Sequence, residues 1–192
     1  KSKEQFLKSK KVKVIIGIQD DIVIGTIEGI YCLKNNKLQP LKMNSTLDSS
    51  SINNIISIEN EVFITSSNGL YKIHKPLKNN TLIKLLDGNF SSIDKFYTGL
   101  ITTNSNGEII AFNKDSIVKT IKTIRNISAV KKLKNEVWVT SETDGIEIYA
   151  LPSFSFKRKI NKYNALQTNV IYNLFKDTQN TAFVASQKGI YI

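Results

Sequence analysis

With 192 residues, an apolar fraction of 41% and a charged fraction of 22%, the chain is too apolar to be disordered and long enough to bury a substantial core. No stretch approaches the roughly 18 consecutive apolar residues of a spanning helix, so direct membrane insertion is not expected. Cys32 is the only cysteine, which excludes an intrachain disulfide and a cysteine-based metal cluster, while the net charge of +11 admits an anionic partner. The lysines are spread singly among Ile, Leu and Asn, as on a solvated surface. Nucleic acid needs a clustered footprint, so it is not expected as a partner; an anion site of some other kind, for an acidic glycan or a membrane surface, stays open as the alternative. The opening KSKEQFLKSKKVK lacks the apolar core of a signal peptide, which leaves a cytosolic chain or one that starts after a cleavage point.

Residues 4–9, EQFLKS, are a lone strand candidate, and from there one pattern is written five times. Its first strand reads VKVIIGI (12–18), INNIISI (52–58), SIDKF (92–96), ISAVKKL (127–133) and NVIYNLF (169–175). A short turn follows, such as Gln19-Asp20-Asp21, Tyr97-Thr98-Gly99 or Asp177-Thr178-Gln179-Asn180, suited to an antiparallel hairpin. The second strand closes on Thr or Ser: IVIGT (22–26), VFITS (62–66), LITT (100–103), VWVTS (137–141) and AFVAS (182–186). Then comes a glycine, at Gly29, Gly69, Gly107, Gly145 and Gly189, a period of about 40 residues. An apolar third strand resumes beside it, and four copies add a more polar fourth: KLQPLK (37–42), TLIKLL (81–86), SIVKTI (116–121) and SFKRKI (155–160). Pro40 requires its strand to lie at a sheet edge.

Four short antiparallel strands per repeat is the pattern of a β-propeller blade. The expected fold is all-β: a β-propeller of five four-stranded antiparallel blades in one domain, 1–192, with blades near 10–48, 49–88, 89–124, 125–162 and 163–192. The first two strands of each blade are expected to face the packed centre and the fourth to form the rim. The fifth copy stops after three strands, and residues 4–9 are expected to complete it and close the ring; the alternative is an arc of a larger propeller.

In the fifth copy, FKDTQNTAFVASQKGIYI, Asp177 opens the turn, Phe183 centres the second strand, and Ser186, Gly189, Ile190 and Tyr191 follow. The fourth copy offers Trp138, Thr140, Ser141 and Gly145, the first Thr26, Gly29, Ile30 and Tyr31, and the second Ser66, Gly69, Leu70 and Tyr71. This pattern resembles the two-component regulator propeller repeat, although Asn180 stands where a turn glycine is common and only one copy has the tryptophan. The resemblance implies a non-enzymatic sensor propeller of a bacterial signal-transduction protein, periplasmic or extracellular. It also implies covalently linked kinase and regulator domains outside this chain, and an oligosaccharide or a protein as partner. The alternative it leaves open is a cell-surface or secretion-associated protein-interaction scaffold.

Little in the residues points to catalysis or to a cofactor. His74, the only histidine, falls in HKPLK after a third strand, on an expected rim loop without positioned partners. Cys32 in IYCL reads as a small buried hydrophobe, and Asp20-Asp21 as hairpin formers with no further metal ligands at suitable spacing. There is no phosphate loop, zinc pattern or nucleophile elbow, so no cofactor, metal or enzymatic role is expected. Phe63, Trp138 and Phe183 share one slot and read as inter-blade packing, with sugar stacking as the alternative.

Binding residues are expected on loops held by the scaffold, in two sets that share a face. The turns between second and third strands offer Asn68, Asn106, Glu142, Asp144 and Lys188. The connections between blades offer Arg125, Tyr163, Asn164 and Gln167. These nine are the ligand-binding candidates.

Overall fold

A computed structural model describes residues 11–34, 37–41, 46–75, 77 and 81–192. The chain packs as two compact units, Lys1–Phe90 and Ser91–Ile192. The first unit holds two sheets, β1 (Val12–Ile18), β2 (Asp21–Thr26), β3 (Gly29–Lys34), β4 (Lys37–Pro40), and β5 (Ile52–Ile58), β6 (Glu61–Ser66), β7 (Gly69–His74), β8 (Ile83–Asp87). The next two sheets are β9 (Phe90–Phe96), β10 (Gly99–Asn104), β11 (Glu108–Asn113), β12 (Ser116–Lys122), and β13 (Ile127–Leu133), β14 (Glu136–Ser141), β15 (Gly145–Ala150), β16 (Ser155–Ile160). The fifth is β17 (Ile171–Lys176), β18 (Ala182–Ser186) and β19 (Gly189–Tyr191).

Every sheet pairs its strands in chain order and antiparallel, and the five are β-propeller blades, as the repeat predicts. The fifth has three strands among the described residues; the fourth strand expected from 4–9 lies outside them. Pro40 sits on β4, an edge strand paired only with β3, where its missing N–H costs no ladder bond.

The apolar cores lie between neighbouring sheets within each unit. Ile18, Val23 and Ile30 pack with Ile52, Ile64 and Tyr71 in the first. In the second, Ile101 and Ile109 meet Val130 and Val139, and Ile146 and Ile148 meet Ile171 and Leu174. Burial on both faces of a blade explains why its middle strands read as continuous apolar runs.

The expected burial gradient needs a correction. β6 and β10 are buried almost throughout and β12 and β16 are exposed, as expected. The first strands β1 and β17, however, are largely uncovered, with Ile15 63% and Phe175 55% exposed. A first strand is itself a sheet edge, so only the residues it turns towards a neighbouring core are covered. The middle strands, not the first two, are the most buried.

The Ser/Thr-x-x-Gly signature is a hydrogen-bonded turn. Thr26 Oγ1 donates to Gly29 O (3.0 Å) and accepts from the Glu28 N–H (3.1 Å). Ser66 repeats this with Gly69 O (3.1 Å) and the Asn68 N–H (3.2 Å), and Ser186 with Gly189 O (2.9 Å) and the Lys188 N–H (3.0 Å). One hydroxyl thus satisfies backbone groups that the tight turn would leave unpaired. In the third copy β10 runs past Thr103, and Asn104 takes this role: its Oδ1 accepts from the N–H groups of Asn106 and Glu108, both at 3.1 Å. At four of the five turns the glycine is needed because φ is positive, as at Gly145 (84°) and Gly189 (119°); at Gly69 an added Cβ would instead stand 2.9 Å from Leu86 O.

A second recurrent device is a β-bulge. Register slips between Val12 and Val14, Ile52 and Asn54, Ile127 and Ala129, and Ile171 and Asn173. The extra residues, Lys13, Asn53, Ser128 and Tyr172, break the alternation of their strands. Each lies beside the second-to-third-strand turn of its own sheet, because Val12, Ile52, Ile127 and Ile171 pair with Thr26, Ser66, Ser141 and Ser186.

Candidate functional site

Two ends of the blades carry side chains that a ligand can reach. At the first, sheet connections are bonded to the second-to-third-strand turns. Within the second unit, Glu142 N donates to Asn126 O (3.0 Å), Gly145 N to Asn169 O (3.0 Å) and Gln187 N to Val170 O (3.1 Å).

The sequence candidates differ in what they have left to offer at this end. In the first unit, Asn68 is half-buried, and its Oδ1 accepts from Ser66 Oγ (2.7 Å) and Tyr71 OH (2.9 Å), closing its own turn. In the second, Asn164 Oδ1 accepts from the Asn161 N–H and its Nδ2 donates to Lys159 O, both at 2.8 Å. Asp144 accepts from Thr143 Oγ1 (2.7 Å), with Lys159 Nζ 3.9 Å away. Asn106, Glu142, Lys188, Arg125 and Gln167 are exposed. Tyr163 is 81% exposed, with the Lys162 ammonium 5.0 Å from its ring centroid.

The bulge residues were not legible as site residues, although two of them are polar links. Lys13 Nζ donates to Asn53 Oδ1 (2.5 Å), and Asn53 Nδ2 to Phe90 O (2.7 Å). The aromatic of the Gly-Ile/Leu-Tyr pair also has a reason: Tyr71 OH reaches the turn at Asn68, and Tyr191 OH accepts from the Gln167 N–H at 2.9 Å. A buried ring at Tyr71 and a half-buried one at Tyr191, each with a polar tip, thereby brace the loops.

Along the first strands of the second unit, sequence reasoning missed an ionic cluster centred on Asp94. Its Oδ2 accepts from the Lys132 N–H (2.9 Å) and from Lys176 Nζ (2.8 Å), and Lys131 Nζ lies 3.6 Å from Oδ1. Two residues earlier, Ser92 Oγ accepts from the Val130 N–H (3.1 Å). β13 has no ladder partner on that edge, so Ser92 and Asp94 of β9 satisfy its backbone instead.

At the other end of the second unit, where first strands turn into second strands, lies a cavity of about 550 Å³. Leu133, Trp138, Ala182 and Ile192 give it apolar walls. Lys134, Asn135, Glu136, Lys157 and Asn180 give it polar ones. The three aromatics of the shared slot, expected to pack between blades, differ in exposure. Phe63 is buried at 3%, but Phe183 and Trp138 are half-buried, and Trp138 is left open because its ring borders the cavity. The ring is held by its own strand: Trp138 Nε1 donates to Glu136 Oε2 (2.8 Å), while Lys157 Nζ donates to Oε1 (2.5 Å) and Arg158 lies 3.9 Å away.

Burial pushes the Glu136 carboxyl up, but the hydrogen bonds from Lys157 and Trp138, with the charges of Lys157 and Arg158, outweigh it and hold the group below its ordinary value of 4.5. A folded value below the unfolded one means that Glu136 contributes stability that is complete above the unfolded value and is lost as pH falls through the folded value. The expected result is acid sensitivity below pH 4.5 that shrinks in Glu136→Gln, followed by Trp138 emission. Acid-unfolding curves that superimpose for the two proteins would refute the assignment.

The remaining chemical candidates stay bland. His74 is the last residue of β7 rather than part of a loop; it is exposed, with Nδ1 3.6 Å from Glu61. Cys32 is buried at 4%. Among the described residues, no three His, Cys, Asp or Glu side chains are grouped to hold a metal ion, and no helix is long and apolar enough to cross a membrane.

No family model and no curated protein matches the chain. Solved structures do. The WD40 β-propeller domain of Doa1 superposes with a TM-score of 0.70 at 13% identity, covering 92% of this chain and 60% of that one. The fold is a β-propeller. The extracellular domain of the putative hybrid two-component system BT4673 from B. thetaiotaomicron matches with a TM-score of 0.76 at 18% identity over 94% of this chain. That of BT3049 from the same organism gives 0.69, 18% and 93%. The chain spans only 26% of the length of each of those extracellular domains. Identities at this level establish a shared fold.

Proposed function

We propose that the chain is a recognition propeller of an extracytoplasmic sensor, which binds a small ligand and carries out no reaction. The observation that carries this reading is the cavity beside Trp138. Its volume of about 550 Å³ suits a small-molecule site, and an aromatic ring with both carboxylate and ammonium groups nearby supplies orientation. Its carboxylate, Glu136, is committed to Trp138 and Lys157 and so serves to fix the walls rather than to move protons. The likeness to extracellular domains of hybrid two-component systems supports the sensor role. On this reading kinase and regulator modules belong to the same polypeptide, and the ligand is an oligosaccharide or another compact polar molecule. The loop end, with Asn106, Glu142, Asp144, Lys188, Arg125, Tyr163 and Gln167, is a second contact surface; Asn68 and Asn164 shape it.

A second reading, a protein-interaction scaffold, is favoured by the apolar side chains left uncovered on and beside β17 and β19. Tyr172 and Phe175 are each 55% exposed, Ile190 71% and Ile192 87%. Thermal unfolding of the chain against a panel of oligosaccharides and small organic acids separates the two. A ligand at 100 times its Kd stabilises by about 2.7 kcal/mol. The expected result is a raised Tm with one ligand class, abolished in a folded Trp138→Ala variant. A cooperative melt that no compound moves, together with a protein partner whose binding is lost on Phe175→Lys, would establish the scaffold instead.

A further inference from the structure

The geometry points to an organic anion with a flat apolar body, an aromatic carboxylate or sulfonate, as the ligand class of the Trp138 cavity. This inference rests on the small-ligand reading above and goes further by assigning the charge and shape of what binds.

The charge argument starts from Glu136, the one carboxylate among the walls. It already accepts from Trp138 Nε1 and Lys157 Nζ, and Arg158 stands 3.9 Å from it. One negative charge therefore faces the cations of Lys157 and Arg158, and Lys134 adds a third from the adjoining turn. Around this cavity positive charge is in surplus beside apolar walls, where water screens it less than at an open surface. A neutral solute leaves that surplus unanswered and a cation adds to it. An anion answers it.

The shape argument starts from Trp138. Its ring orientation is fixed by the Nε1 bond to Glu136, so the apolar surface it lends to the cavity is offered without the entropy cost of ordering it on binding. Leu133, Ala182 and Ile192 continue the apolar wall. A planar body stacks on such a surface, and an anionic group attached to it meets Lys157 or Lys134. Glu136 acts here as a positioning residue for both the ring and one ammonium.

The test uses the chain's single tryptophan, Trp138, whose emission reports on the cavity directly. The protein is titrated with benzoate, benzamide and benzylammonium, three probes of nearly one shape and different charge, at constant ionic strength and with the binding heat measured in parallel. Benzoate is expected to bind roughly tenfold more tightly than benzamide, the size of one charge-assisted contact, and to weaken as salt rises. Benzylammonium is expected to bind least. Lys157→Met and Lys134→Met should each erode the preference, and Lys134→Met does so with the Glu136 contacts to Lys157 and Trp138 left in place. Equal affinities for benzoate and benzamide would overturn the anion assignment while leaving the small-ligand reading intact. No response from Trp138 to any probe, in protein that still unfolds cooperatively, would overturn both.

Discussion

Asp94→Ala is expected to destabilise the protein by about 3–5 kcal/mol, the usual cost of removing one partner from a buried ion pair. Asp94 is only 7% exposed, and it serves the first strands of three sheets: its own β9, β13 through the Lys132 N–H and Lys131, and β17 through Lys176. Alanine leaves two partly buried ammonium groups without their counter-charge. It also leaves the Lys132 N–H without an acceptor on an edge that has no ladder. For a chain of this length each kcal/mol moves the Tm by about 2–4 °C, so a fall on the order of 10 °C is expected. Asp94→Asn keeps an acceptor for the Lys132 N–H but not the charge, and should fall between the two. Urea denaturation of the three proteins measures this. A loss below about 1 kcal/mol for the alanine variant would mean that the cluster behaves like an exposed pair.

Gly145→Ala carries the second large effect, expected at about 2–5 kcal/mol from a left-handed backbone and an overpacked contact together. The φ of 84° is one that L side chains rarely adopt, and a Cβ there would stand 2.4 Å from Ile160 O. That oxygen is backbone, so no side-chain rotation relieves the clash. By contrast Gly189 has a φ of 119° but nothing within 4 Å of the same added atom. Gly189→Ala should therefore show the conformational cost alone, and the difference between the two variants in denaturant isolates the steric part. Equal losses would show that the β15 turn relaxes away from Ile160.

The blade repeat was legible because its grammar is local. Hairpin turns, a closing Ser or Thr and a glycine follow from the chemistry of two or three residues, and the first-strand windows VKVIIGI, INNIISI and ISAVKKL coincide with β1, β5 and β13. What escaped was everything set by another strand. Asp94 inside SIDKF looks like one polar residue in an apolar run; its value depends on Lys132 and Lys176, which belong to later repeats. The bulges at Lys13, Asn53, Ser128 and Tyr172 escaped because a slipped register leaves no mark on composition. The loop candidates were found by type, yet Asn68 is spent on Ser66 and Tyr71, a fact that only the folded turn reveals. For Trp138 both packing and stacking stayed open in the sequence, because an aromatic in a repeated slot gives no clue to whether its neighbour covers it.

The turns braced by Thr26, Ser66, Asn104 and Ser186 have a consequence for redesigning the loop end. Their shape is fixed largely by the first residue's side chain and by backbone groups, so a tip side chain such as that of Asn106 or Lys188 carries little of the folding work, whereas Asn68 bonds Ser66 and Tyr71 and Gln187 accepts from Thr168 Oγ1 (3.4 Å). Positions such as Ser105, Asn106 and Lys188 are thus exchangeable: a library diversified there would vary the surface chemistry of the loop end while sampling one backbone. If that end binds as proposed, its specificity would reside in positions that contribute little to stability.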